Sequence, residues 1–177
     1  DDLAECRLAY ETRALGGPGE LGRPVISDLR VEDLDGDGRA EIVVCDSAAG
    51  RVSSLAWRDG KWEEKPVFEV SAPSRVVVCD YDGDGLPDLA VASLGIVSPT
   101  DSLVGSVWLL RNLGDGSYDP QPLMLNCPRV SDVKWGDFNG DGKPDLLVVQ
   151  FGWRTTGGIL WLEQQSPTTF VSHEIAR

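Results

Sequence analysis

The stretch Asp137-Phe-Asn-Gly-Asp-Gly-Lys-Pro-Asp145 decides the reading of this chain, because it is written twice more. Its other copies are Asp80-Tyr-Asp-Gly-Asp-Gly-Leu-Pro-Asp88 and Asp33-Leu-Asp-Gly-Asp-Gly-Arg-Ala-Glu41. Their first residues lie 47 and 57 positions apart, a spacing typical of repeat architectures. Apolar runs flank the copies: Ile42-Val43-Val44 after the first, Val76-Val77-Val78 before and Leu89-Ala90-Val91 after the second, and Leu146-Leu147-Val148-Val149 after the third. Short, β-branched and bounded by glycine, these runs read as strands.

A second pair of strand-like runs follows each copy. Arg51 to Trp57 and Lys61 to Val70 flank Asp59-Gly60, a dipeptide suited to the positive φ angles of a tight hairpin. Ser106 to Arg111 and Tyr118 to Leu125 flank Leu113-Gly-Asp-Gly116, and Gly158 to Glu163 and Thr169 to Ile175 flank Gln164-Gln-Ser-Pro167. The extra length of the second unit falls in Ser93 to Gly105, read as a surface loop. Even the lead-in recurs, Pro24-Val-Ile-Ser-Asp28 before Asp33 and Pro128-Arg-Val-Ser-Asp132 before Asp137. The units are thus 24–72, 73–127 and 128–177, with 1–23 as a leader expected to supply the outer strand of a preceding unit. Without a sustained i, i+3, i+4 apolar stripe, essentially no helix is expected. The fold class is all-β, a β-propeller portion of about three four-stranded blades.

In each phrase, positions 1, 3, 5 and 9 carry a side-chain oxygen: Asp33, Asp35, Asp37 and Glu41; Asp80, Asp82, Asp84 and Asp88; Asp137, Asn139, Asp141 and Asp145. Eleven of these twelve are carboxylates. Such crowding costs stability unless a cation sits among them, and hard oxygen donors select calcium over zinc or copper. The backbone carbonyl at position 7 (Arg39, Leu86, Lys143) offers a further ligand. Three calcium ions would bring six positive charges and move the net charge from −13 to −7. An EF-hand is excluded, since position 12 is Val44, Val91 or Val148 where that loop needs a bidentate Glu, and the flanks are strands rather than helices.

The phrase at 137–146 resembles the repeat of the VCBS and FG-GAP families. That resemblance implies integrin-like β-propeller blades with calcium held at the positions named above, Arg39-Ala40-Glu41 being the weakest copy of the family's x-Pro-Asp ending. It also implies an extracellular or periplasmic setting and a role in binding, adhesion or assembly. The competing class is enzymatic, the propeller part of a carbohydrate-active or redox enzyme; a third is a structural subunit of a larger complex.

The rest of the composition sets limits. The chain has 177 residues, one domain or a large fragment by length. It begins at Asp1 without Met or a signal segment, so a processed form or an excerpt is expected. Apolar stretches fall far short of the roughly 18 residues of a membrane span, so no membrane insertion is expected. With 16 basic against 29 acidic residues, no nucleic-acid groove is expected either. The single histidine, His173, rules out His-rich zinc sites. Cys6, Cys45, Cys79 and Cys127 form no CxxC pair, and the strand cysteines read as small hydrophobes. Gly17 to Gly22 spells GxGxxG without a βαβ unit, so it reads as a linker. Tryptophans read as core, with Trp153 the one to expect at the surface and glycan as the ligand it would serve. Propellers need roughly four to eight blades. Three therefore predict that the remainder of a longer propeller chain, or another protein subunit, completes the ring.

Overall fold

The computed structural model describes residues 24–177; the leader expected at 1–23, with Cys6 and the Gly17–Gly22 segment, lies outside them. The described residues form twelve strands and no helix. Three four-stranded antiparallel sheets result, each in simple chain order. The first holds β1 (Ile26–Glu32), β2 (Glu41–Asp46), β3 (Arg51–Arg58) and β4 (Lys61–Glu69). The second holds β5 (Pro73–Cys79), β6 (Asp88–Ser93), β7 (Gly105–Asn112) and β8 (Tyr118–Cys127). The third holds β9 (Arg129–Gly136), β10 (Asp145–Phe151), β11 (Gly157–Ser166) and β12 (Thr169–Ala176). Each acidic phrase is the turn between the first two strands of its sheet. The β3–β4 hairpin turns on Asp59 and Gly60 at φ 50° and 79°, the mirror-image turn that suits strand twist.

The core is two seams between sheets, set by period-two alternation. Val43, Cys45 and Val52 of the first sheet meet Val76, Leu89, Val91 and Leu110 of the second. The opposite face of the second sheet turns Val77, Ala90, Ala92, Val107 and Leu109 toward Val130, Val133, Leu146, Val148 and Leu162 of the third. Strand β6 is therefore buried along its whole length. Each fully buried leucine here, Leu89, Leu110 or Leu146, contributes about 1.5–3 kcal/mol over an exposed one. The fourth strands lie at the far edge of each sheet, where Pro66, Pro120 and Pro122 and the charges Lys61, Glu63, Glu64 and Lys65 oppose further strand pairing.

The first strands β1, β5 and β9 run side by side, and a bulge serine stitches them. Ser27 Oγ donates to its own sheet at Cys45 (3.3 Å) and across the seam to the Pro73 carbonyl (2.6 Å). Ser74 Oγ does the same with Ala92 (3.2 Å) and Val130 (2.7 Å). Ser131, in the equivalent place, bonds within its sheet, to Val149 (3.3 Å), and to no neighbouring sheet among the described residues. The next residue alternates in charge: Arg75 Nη1 lies 3.0 Å from Asp28 and its Nε 2.6 Å from Asp132, an acid-base-acid rung across three sheets.

The long β6–β7 loop is a surface segment, as its composition predicts, but it is tied to the third sheet. Asp101 Oδ1 accepts N–H bonds from Trp153 (2.8 Å), Arg154 (3.0 Å), Thr155 (3.1 Å) and Thr156 (3.3 Å). Arg129, buried over the Phe151 ring at 4.2 Å, donates to the carbonyls of Val97 and Ser98.

Candidate metal centre

The three phrases fold alike because Gly at positions 4 and 6 takes positive φ, 73° and 84° in the first copy, 79° and 86° in the second and 80° and 82° in the third. These glycines aim their N–H groups inward. Asp33 accepts from Gly36 (2.8 Å) and Gly38 (2.9 Å), Asp80 from Gly83 (2.7 Å) and Gly85 (2.9 Å), and Asp137 from Gly140 (2.7 Å) and Gly142 (2.9 Å). Position 3 accepts the N–H of position 5: Asp35 from Asp37, Asp82 from Asp84, Asn139 from Asp141. Position 5 in turn accepts the N–H of position 7, from Arg39 at 2.8 Å and from Leu86 and Lys143 at 2.9 Å. The carboxylates at positions 1 and 5 are thus held by backbone N–H groups in all three loops.

Ligand oxygens of Asp33, Asp35 and Asp37 lie within 4.8 Å of one another, as do those of Asp80, Asp82 and Asp88. The third loop carries an amide at position 3. Asn139 Nδ2 donates to Glu163 (3.0 Å), which leaves its Oδ1 facing the loop, and Glu163 bonds His173 at 2.8 Å. The His173 bond first, then the Asn139 bond, holds the Glu163 carboxyl below its ordinary range. Cationic side chains screen the outer oxygens: Arg58 on Asp35 (2.9 Å), Arg111 on Asp82 (2.6 Å) and Asp84 (3.2 Å), and Lys143 on Asp141 (3.1 Å).

Position 9 is unlike the rest, being buried in all three copies. Glu41 accepts the N–H of Leu34 (2.9 Å), Asp88 that of Tyr81 (3.2 Å) and Asp145 that of Phe138 (3.2 Å), each donor standing at position 2 of the same loop. The other oxygens of Asp88 and Asp145 accept N–H bonds from Asn112 (2.7 Å) and Gln164 (2.8 Å) at the ends of β7 and β11. Burial foremost, partly offset by those N–H bonds and reinforced by Asp82 and Asp84, pushes the Asp88 carboxyl up to about 6. Burial likewise raises Glu41, helped by Asp35, Asp37 and Asp33 against the Leu34 bond. Both shifts owe most to burial, with the neighbouring loop carboxylates adding to it. A hard divalent cation fits a donor set made only of oxygens.

Sequence reasoning did not find Asn112 and Gln164. The signal was present: each stands two residues beyond the last leucine of its strand, Leu110 or Leu162, whereas the first sheet has Trp57 two residues beyond Leu55. Trp57 also departs from the core expectation, being 45% exposed and edge-on to Trp62. Trp153 is exposed, with Arg154 over its ring at 5.6 Å. Among the described residues no helix is long and apolar enough to cross a membrane. Cys45, Cys79 and Cys127 are not bonded to one another.

Comparison with known proteins adds two findings. A model of the FG-GAP-like repeat matches residues 33–91 and again 80–148, together more than half of the chain. Phosphatidylinositol-glycan-specific phospholipase D from Bos taurus is 31% identical over 81 residues, and that from Homo sapiens 30% identical over 81 residues. Each alignment covers 42% of this chain and 10% of the relative, so the chain matches about a tenth of the length of those proteins.

Proposed function

Because the chain belongs to the FG-GAP-like repeat family, we propose that its sheets are consecutive β-propeller blades whose acidic hairpins each hold a calcium ion, serving an extracytoplasmic binding or assembly module. The carrying observation is the backbone-held convergence of Asp33, Asp35 and Asp37 and of Asp80, Asp82 and Asp88. In this reading the side chains of Asp33, Asp35, Asp37 and Glu41, of Asp80, Asp82, Asp84 and Asp88, and of Asp137, Asn139, Asp141 and Asp145 hold the ions. The carbonyls of Arg39, Leu86 and Lys143 complete the sets. The cation supplies charge neutralisation and rigidity, and the residues do the rest: glycine N–H groups orient position 1, and position 9 joins the loop to the buried sheet.

The partner is the remainder of a longer propeller or another subunit. Its docking face is the outer side of the third sheet, where Phe138 and Val149 are 46% and 36% exposed while their counterparts Leu34, Tyr81, Cys45 and Ala92 are buried in seams. A glycan at the exposed Trp153 is the alternative ligand. The phospholipase activity in the relatives' names is outside the proposal, since the shared stretch is a tenth of their length.

Thermal melting with calcium and with a chelator tests the reading. At an extracellular-module affinity of about 10⁻⁴ M, about 10 mM calcium stabilises each site by about 2.7 kcal/mol. Each filled loop then raises the midpoint by roughly 5–10 °C. An unchanged midpoint, together with no bound ion in native mass spectrometry, overturns it.

A further inference from the structure

Two of the residues that donate to the position 9 carboxylates, Asn112 and Gln164, also reach across the seams with their side chains. Asn112 Nδ2, from the second sheet, donates to the Leu34 carbonyl of the first loop at 2.9 Å, across 78 residues of chain. Gln164 Nε2, from the third sheet, donates to the Tyr81 carbonyl of the second loop at 2.9 Å, across 83 residues. Both amide side chains are almost fully buried. Asn112 is also saturated: its second N–H reaches the Pro87 carbonyl (3.1 Å) and its Oδ1 accepts from Gly114 (3.0 Å).

Joined to the bonds described above, these contacts make one unbroken line. It runs from Glu41 through the Leu34 peptide to the Asn112 side chain, and from the Asn112 N–H to Asp88. From Asp88 it continues through the Tyr81 peptide to the Gln164 side chain, and from the Gln164 N–H to Asp145. Every member is a buried polar group satisfied by the next, so a displacement of one cannot be absorbed locally without stranding another.

We propose that Asn112 and Gln164 are positioning residues for cation loops in the neighbouring sheets, so that occupancy of one loop is transmitted to the next through the closing carboxylates. The proposal rests on the calcium reading above. A cation that fixes Asp88 fixes the Asn112 backbone, and the Asn112 amide then holds Leu34 where Glu41 closes the first loop. Gln164 couples the third loop to the second in the same way. By linkage the effect runs equally in both directions.

The test uses the full chain and calcium as the probe, followed by NMR of the loop glycine amides: Gly36 and Gly38 report the first loop, Gly83 and Gly85 the second. Asp82→Ala, which removes the ligand oxygen, silences the second loop at a position outside the relay. In the parent, that change weakens calcium binding at the first loop about five-fold or more. Asn112→Leu, of similar shape, produces a comparable weakening by itself and speeds amide exchange at Leu34; adding Asp82→Ala then changes the first loop no further. Gln164→Met, read on the second loop with Asp141→Asn silencing the third, repeats the experiment at the other seam. A first loop indifferent to both Asp82→Ala and Asn112→Leu, with the parent binding calcium normally, overturns the coupling and leaves the calcium reading standing. No calcium-dependent shift in the parent overturns both.

Discussion

Replacing Arg75 by Met removes the cation of the acid-base-acid rung while keeping the stem that packs beneath it. Asp28 feels the loss most, because its side chain is only 7% exposed and Arg75 is 3.0 Å away. It retains the Val76 N–H at 3.0 Å and Arg30 at 3.1 Å, so it is weakened rather than stranded. One charge-assisted hydrogen bond in that setting is worth about 1.5–3 kcal/mol. The 2.6 Å contact to Asp132 is more hydrated, with that carboxylate 28% exposed and Lys134 at 3.4 Å as a substitute, and adds about 0.5 kcal/mol after screening. The sum, about 2–3.5 kcal/mol, lies toward or below the lower end of the roughly 3–5 kcal/mol of a fully buried pair, as partial exposure requires. For a chain of this size it lowers the melting midpoint by roughly 5–10 °C. Urea unfolding checks it: the midpoint drops while the slope is unchanged. Arg75→Lys keeps the charge but not the fork that spans both carboxylates, and loses about half as much. A Met variant within about 0.5 kcal/mol of the parent, the scatter of ordinary surface changes, refutes the rung as a stabilising contact.

Two further expectations concern single groups. The N–H bonds from Arg154 and Thr155, followed by those from Trp153 and the Thr156 contacts, hold the Asp101 carboxyl far below its ordinary value. Its contribution is complete above the unfolded aspartate pKa of about 3.9 and fades as pH falls toward the lower folded value. Asp101→Asn therefore speeds hydrogen exchange over residues 152–157 at pH 6, and the difference from the parent narrows by pH 3; a constant difference contradicts the assignment. Burial first, then Asp28, pushes the Cys45 thiol up to about 12, and burial with Asp80 and Asp88 pushes Cys79 up to about 11. Native protein at pH 8 treated with an alkylating reagent is then unmodified at Cys45 by peptide mass spectrometry, and denaturant exposes it.

What the sequence disclosed and what it withheld divide along chain distance. The three four-stranded antiparallel sheets were legible because their signals are local: β-branched runs, a repeated phrase, glycines where the turn needs positive φ. The turn carboxylates were legible for the same reason, as one phrase holds all of them. The second duty of position 9 was hidden, because a string of acidic residues does not say which one is buried; only the packed sheets draw Glu41, Asp88 and Asp145 away from water. Asn112 and Gln164 matter through partners about 80 residues distant, and nothing periodic in the chain pairs them with Leu34 or Tyr81. Asp28 and Asp132 were visible as a recurring lead-in, but their meaning comes from Arg75, the residue that breaks the recurrence.

The bulge serines and the crossing amides give the middle sheet two unlike sides. One side offers a hydroxyl and a peptide oxygen; the other receives the hydroxyl and sends the amide. The seams of this protein are therefore heterologous, each joining unlike sides of neighbouring sheets head to tail. On the third sheet Phe138 is exposed, whereas its counterparts Leu34 and Tyr81 are closed into seams by the sheet that follows.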